Sequence, residues 1–342
     1  MKKLKGAIIG CGFFASNHIL AWKELKNVEL IAVCDLKINK AKNFKNKYKI
    51  PYFYSSIEDM LIQNKLDFVD VVTTMETHLN ISKILSKYKI PTSIQKPFAE
   101  NIHNAKKIVS LYKKNNIPLM VHENFRWQTP LMKLKNIIVK YNLKNPFYAK
   151  ISFRHANPVG YTNQKYLYDL DEYLILDVGI HLYDLSRFFM GEASTVYTIN
   201  QNTNKKFKAE TSFISLVRNK NKSITIVDAS ISSIKNPDRF AQTLVSLEFK
   251  NGSLDLDYNY NITLHLKNKI IKFNARPKKY SWTSKPWDQI QESVINTHIH
   301  FIDYLIKNKE HHTSGKDNIK SLSLVFNSYK SYKLKKEIKL NE

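Results

Sequence analysis

A chain of 342 residues, 43% hydrophobic and 24% charged, carries enough apolar material for one large or two ordinary cores, which excludes intrinsic disorder. Its 54 basic and 29 acidic residues give a net charge of +25, a balance that elsewhere points to nucleic acid or an anionic membrane. Here 48 of the 54 are lysine, six are arginine, and 33 asparagines accompany them along the whole chain, so the excess reads as compositional drift and no specific nucleic-acid partner is expected.

From residue 4 to about 122, short β-branched runs alternate with longer helical stretches, which predicts βαβ units and a parallel sheet. Strands are expected over 4–9, 28–34, 68–73, 92–94 and 119–121, with helices over 15–25, 39–47, 57–63, 78–88 and 101–114. A helix over 130–141 leads to a strand over 147–153, and 174–189 reads as a helix stopped by Gly191. Strand-like segments follow over 195–200, 212–217, 223–230, 243–249, 253–258, 263–266 and 270–274, with Asn251-Gly252 marking a hairpin. Helices over 289–307 and 318–332 close the chain. The expected fold is α/β: a Rossmann domain with a doubly wound parallel sheet over 1–124, then an α+β domain with a largely antiparallel open-faced sheet and C-terminal helices over 125–342.

Cys11 and Cys34 suit a reducing compartment and argue against a disulfide framework or a thiolate metal site, and no metal is expected. The apolar stretch after Lys2, Lys3 and Lys5 is too short for a signal core, and no run approaches the ~18 apolar residues of a membrane span. A cytoplasmic protein with no membrane partner is expected.

The chain holds only eight glycines, and three fall between residues 6 and 12. Gly10-Cys11-Gly12-Phe13-Phe14-Ala15 follows a predicted strand and opens a predicted helix, the arrangement G-x-G-x-x-[GA] of dinucleotide-binding domains. Gly10 permits the tight turn, Gly12 lets the backbone approach a pyrophosphate, and Ala15 allows close helix–strand packing. Exposed N–H groups and the helix dipole then hold the anion. Asp35, at the end of the second strand, is placed to accept hydrogen bonds from ribose hydroxyls and to repel a 2′-phosphate, which favours NAD. Lys37 and Lys40 lie close by and leave NADP open.

Lys96, at the end of the 92–94 strand, stands at the carboxyl edge where ligands bind in such sheets. Asp177 and His181 are four residues apart and share one helix face, with Asp184 and Phe188 extending the stripe. A histidine that titrates near neutrality, oriented by a carboxylate, suits acid–base work.

Taken together, Gly10 to Ala15, Thr74-Met75-Glu76-Thr77-His78, Gln95-Lys96-Pro97, Asn124-Phe125-Arg126-Trp127 and Asp177-Val178-Gly179-Ile180-His181 resemble, in order, five motifs of one family. These are the glycine loop, T-P-x-x-H, E-K-P, N-x-R and D-x-x-x-H of the glucose–fructose oxidoreductase and inositol dehydrogenase (Gfo/Idh/MocA) family. Met75 stands in place of proline, and Gln95 in place of glutamate removes a negative charge beside Lys96.

The resemblance implies an NAD(P)-dependent dehydrogenase acting on a CH–OH group of a sugar, polyol or sugar derivative. His181 serves as acid/base, Asp177 positions substrate or histidine, and Lys96 completes the set. It implies cofactor contacts from Gly10, Cys11, Gly12, Phe13, Phe14, Asp35, Thr73, Thr74, His78, Gln95, Lys96 and Arg126. Asn124, Arg154, His155, Tyr161 and Tyr168 are the substrate-binding expectations, Arg154 suiting an acidic sugar. A homodimer or homotetramer through the second-domain sheet is also implied, and the alternation in Leu244-Val245-Ser246-Leu247-Glu248-Phe249 fits one. Two other readings remain: tightly held NAD enabling elimination, hydrolysis or epimerisation at the same site, and a non-catalytic nucleotide-sensing regulator.

Overall fold

Strands buried on both faces need continuous apolar runs, and the first sheet is built from them: Ala7, Ile8, Val33, Val69, Val71, Ile94 and Val121 are all fully buried. In the computed structural model, which describes residues 3–156, 164–238, 240, 242–307 and 312–340, β1 (Leu4–Ile9), β2 (Val28–Cys34), β4 (Phe68–Val71), β5 (Thr92–Gln95) and β6 (Leu119–His122) match the expected strands closely. A three-residue strand, β3 (Tyr52–Tyr54), joins them; its length leaves no readable period. The order is β3-β2-β1-β4-β5-β6 and all pairings are parallel. The chain reverses direction across the sheet between β1 and β4, the switch point outside which such sheets bind ligands. Helices α1 (Ala15–Lys23), α2 (Ile38–Tyr48), α3 (Ile57–Gln63), α4 (His78–Lys87) and α5 (Ile102–Lys114) connect the strands, and α6 (Thr129–Lys140) follows β6.

The second sheet has nine strands in the order β14-β13-β12-β11-β7-β10-β9-β8-β15. Only β7 (Pro146–Arg154) and β10 (Ile224–Ser230) pair in parallel. The others are β8 (Ala193–Gln201), β9 (Ser212–Asn219), β11 (Thr243–Phe249), β12 (Gly252–Leu256), β13 (Asn261–Leu266), β14 (Lys269–Asn274) and β15 (Ile338–Lys339). The hairpin between β11 and β12 closes at Phe249 and Gly252, around the expected Asn-Gly turn. Strand β11 buries Val245, Leu247 and Phe249, leaving the less apolar Leu244, Ser246 and Glu248 on its other side. Strands β8 to β10 expose Ile199, Ile214, Leu216 and Ile224, while Phe147 on β7 and Ile270 on β14 are exposed as well.

The chain divides into two units, Met1–Asn124 with Ser293–Lys320, and Phe125–Glu292 with Ser321–Glu342. The return of residues 293–320 to the first unit goes beyond the expected division, because periodicity reveals a helix's apolar face but not which sheet covers it. Among the described residues, no helix is long and apolar enough to cross a membrane.

Candidate active site

The loop after β1 separates two requirements for glycine. Gly10 has φ +99° and its N–H donates to the Cys34 carbonyl at 2.8 Å; a Cβ there would collide with the Val72 carbonyl oxygen. At Gly12 a Cβ would meet nothing within 4 Å. Its bareness is not needed for packing, and the open space suits a phosphate approaching the backbone. Asp35 braces the loop: Oδ2 accepts the Cys11 N–H and Oδ1 the Lys37 N–H, both at 2.8 Å. Each carboxylate oxygen keeps a further lone pair for a hydroxyl donor. Burial, reinforced by Asp35, pushes the Cys11 and Cys34 thiols up to about 12, so both act as packing groups. Phe14 meets the His18 ring edge-on at 5.4 Å, and Phe13 is 46% exposed.

After β4, the Thr77 hydroxyl donates to the Thr74 carbonyl at 2.8 Å and can accept from Thr73 Oγ1 at 2.7 Å, shaping the loop that carries Thr73 and Thr74. His78 is expected at the cofactor, yet it is fully buried. Its Nδ1 lies 3.0 Å from the Phe98 carbonyl and its Nε2 3.2 Å from that of Thr73, and burial lowers its pKa. Both contacts hold the loop in shape.

Gln95 ends β5 with its Oε1 accepting the Lys96 N–H at 2.7 Å, while its Nε2 lies 3.1 Å from His18 Nε2. His18 in turn meets Asp70 at 2.7 Å, and Trp22 Nε1 donates to the same carboxylate oxygen at 2.7 Å. His298 stacks on Trp22 with ring centroids 3.7 Å apart. Burial alone would raise the Asp70 pKa, but His18 and His298 outweigh it and hold the carboxyl well below the usual range. Lys96 is half-buried at the carboxyl edge of the sheet. Asn124, expected at substrate, is buried and donates to Ser293 Oγ at 2.7 Å.

In the second unit, Asp177 and His181 do not lie on one regular α-helix. Ile175–Gly179 forms a π-helical turn, and α7 (Ile180–Met190) follows it. Such turns recur at functional sites because they re-aim side chains. The turn is anchored by Glu210, whose Oε1 accepts the Ile175 N–H at 2.9 Å and the Tyr329 hydroxyl at 2.8 Å. His181 is 3% exposed and stacks flat on Phe125. Asp177 is half-buried, and its charge acts on neighbouring Tyr173 and His155.

The other expected site residues of this unit have protein partners of their own. Arg126 is 4% exposed and clamps Asp184 bidentately at 2.7 and 2.6 Å, so its guanidinium secures α7. Both Nε and Nη2 of Arg154 donate to Asp228, which balances its charge. His155 is 2% exposed, with Nδ1 2.9 Å from the Ala156 carbonyl; burial lowers its pKa. Tyr168 packs edge-on against Phe207 at 4.8 Å, and Tyr161 lies outside the described residues.

Residues 4–123 match the model of the oxidoreductase family with an NAD-binding Rossmann fold, and residues 131–254 match the GFO/IDH/MocA C-terminal domain. The chain belongs to the Gfo/Idh/MocA family. It is 35% identical over 97% of its length to D-apiose dehydrogenase of Rhizobium rhizogenes, of which it covers 96%. It is 33% identical to D-apiose dehydrogenase of Paraburkholderia graminis over 97% of the chain and 88% of that protein. A crystal structure of an oxidoreductase from Agrobacterium radiobacter in complex with NAD+, L-tartaric acid and magnesium superposes with a TM-score of 0.96 at 34% identity, covering 99% of both chains. This Gfo/Idh/MocA chain is an oxidoreductase, and NAD is its cofactor.

Within this Gfo/Idh/MocA frame, Asp70 and His18 behind Gln95 and Glu210 at the π-helical turn went unpredicted, as did the supporting parts played by Phe125 under His181 and Asp184 on the second-unit helix. One signal was present. An aspartate inside the apolar run Phe68-Val69-Asp70-Val71 requires a buried partner.

Proposed function

We propose that this protein is an NAD-dependent dehydrogenase of a sugar, with D-apiose as the leading substrate. The near full-length similarity to two proteins named D-apiose dehydrogenase, at 35% and 33% identity, carries this reading. The backbone of Gly10 to Phe14 and the Asp35 carboxylate would hold NAD, which supplies the hydride acceptor when bound. The chain's own part is positioning and proton transfer.

His181, kept from reorienting by the Phe125 ring, takes the proton that leaves the sugar hydroxyl; Lys96 is the other candidate acceptor and supports the developing alkoxide. Asp177, at the π-helical turn, orients the substrate or the imidazole. Neither redox-assisted elimination nor a non-catalytic sensor has an observation in its favour. A panel of D-apiose, other pentoses, inositols and uronic acids, assayed with NAD+ and NADP+ for absorbance of reduced nicotinamide, tests the proposal. The highest kcat/KM is expected for D-apiose with NAD+, and no turnover of any sugar overturns it.

We further propose a homo-oligomer formed through the second sheet. The support is the exposure of Ile199, Ile214, Leu216 and Ile224 on neighbouring strands β8 to β10. Light scattering after size exclusion should give a mass above one chain, and a strict monomer contradicts it. The free thiols of Cys11 and Cys34 support a cytoplasmic setting.

A further inference from the structure

Gln95 is fixed at both ends of its amide. Its oxygen is the atom that accepts the Lys96 N–H, so the atom 3.1 Å from His18 Nε2 is its nitrogen. An amide nitrogen donates and cannot accept, so His18 must offer a bare Nε2 and carry its proton on Nδ1. That proton points at Asp70 Oδ2, 2.7 Å away, an oxygen that also accepts from Trp22. Asp70 and His18 are fully buried and Gln95 is 7% exposed, so water does not supply an alternative donor or acceptor cheaply.

We propose that Asp70, His18 and Gln95 form a one-way hydrogen-bond chain that positions Lys96, and that glutamine is required at residue 95 because His18 presents only an acceptor there. Each link dictates the next. The Asp70 carboxylate sets the His18 tautomer, the tautomer sets the direction of the Gln95 amide, and the amide oxygen holds the backbone of Lys96. The titratable groups facing His18 are Asp70 on β4, His122 on β6 and His298 on the helix over Asp288–Lys307.

His18, His122 and His298 bring ligand atoms within 4.8 Å of one another, a spacing that also invites a metal reading. Binding through His18 Nδ1 would displace the proton given to Asp70. It would leave an N–H on Nε2 facing the Gln95 N–H, donor against donor. The hydrogen-bond directions therefore favour the positioning chain. That Lys96 is the residue positioned for catalysis rests on the proposed function; the direction of the chain does not.

The test is Gln95→Glu. A protonated glutamic acid reproduces the glutamine pattern, with its O–H donating to His18 Nε2 and its C=O accepting from Lys96. An ionised carboxylate offers only acceptors against a bare nitrogen. The folded variant should therefore retain a proton that an unfolded glutamate loses above about pH 4.3, so its pKa is raised on folding. A raised pKa means stability present at low pH and lost as pH rises through the folded value.

Calorimetry of cofactor-free wild type and variant from about pH 4.5 to about pH 8.5 should show Tm values that nearly coincide in acid and part by several degrees in base. The ratio of kcat values with NAD+ and D-apiose should follow, with the variant about tenfold slower at the basic end and recovering in acid. A Tm gap that does not change with pH overturns the chain. If the variant does not fold, histidine 15N spectra of the wild type decide: His18 protonated on Nδ1 supports the chain, and protonation on Nε2 overturns it. A widening Tm gap in an enzyme that turns over no sugar supports the chain while removing the proposed function.

Discussion

The imidazole of His181 lies flat on the phenyl ring of Phe125, their centroids 3.9 Å apart and their planes 4° from parallel. The ring closes one face of the histidine and restricts it to rotation in a single plane. Such a stack contributes about 0.5–1.5 kcal/mol, so Phe125→Leu should lower kcat by up to about tenfold. Isothermal titration should find NAD binding unchanged. A variant with wild-type kcat would show that the stack does not serve the reaction.

Gly10 and Gly12 should respond differently to the same substitution. Gly10→Ala forces a side chain into the Val72 carbonyl at φ +99° and should lower Tm sharply. Gly12→Ala meets no protein atom, so its Tm should stay near wild type while NAD affinity falls by about tenfold, or ~1.4 kcal/mol. Thermal unfolding and titration calorimetry on the two variants separate the roles, and equal Tm losses contradict the assignment.

The clamp of Arg126 on Asp184 is almost wholly buried, with side-chain exposures of 5% and 1%. Removing Arg126 leaves Asp184 with one guanidinium, Arg187, whose Nη1 lies 3.7 Å from Oδ1. Arg126→Leu should cost about 3–5 kcal/mol in urea unfolding, towards the low end because Ser321 Oγ still donates to Asp184 Oδ1 at 2.9 Å. The double variant Arg126→Leu/Asp184→Leu should recover part of that loss, and a double variant worse than the sum of the two singles contradicts it.

Acid stability follows from the buried histidines. Burial lowers the pKa of His298 to about 4, that of His122 well below its ordinary value, and those of His78 and His155 as well. Folded imidazoles that bind protons more weakly than unfolded ones, near 6.5, make unfolding take up protons, so stability falls as pH drops from about 6.5 towards 4. Each such histidine contributes up to about 1.4 kcal/mol per pH unit. His298→Phe, which keeps the stack on Trp22, should flatten the Tm profile in this range by about one proton, and an unchanged slope contradicts the account.

The sequence made the sheet legible wherever a run was long and apolar on both faces, as at Val28–Cys34, and it missed Tyr52–Tyr54, which is too short to show a period. The glycine loop was readable because Gly10 and Gly12 stand out in a glycine-poor chain. The partners of Arg126, Arg154 and His78 were not, because a charged or polar residue in a motif gives no sign of the group that pairs with it from 58, 74 or 20 residues away. The π-helical turn at Ile175–Gly179 was hidden for the same reason: its anchor, Glu210, lies in a different segment of the chain.

If His181 and Lys96 move the proton when NAD+ oxidises the sugar, removing either side chain must slow turnover without loosening NAD. Reduced nicotinamide formed from NAD+ and D-apiose should be measured for wild type, His181→Ala and Lys96→Ala, each first shown by titration to bind NAD. The account predicts turnover in wild type and a loss of about 10²-fold or more in each variant, with NAD affinity retained. Wild-type turnover in both variants would contradict it.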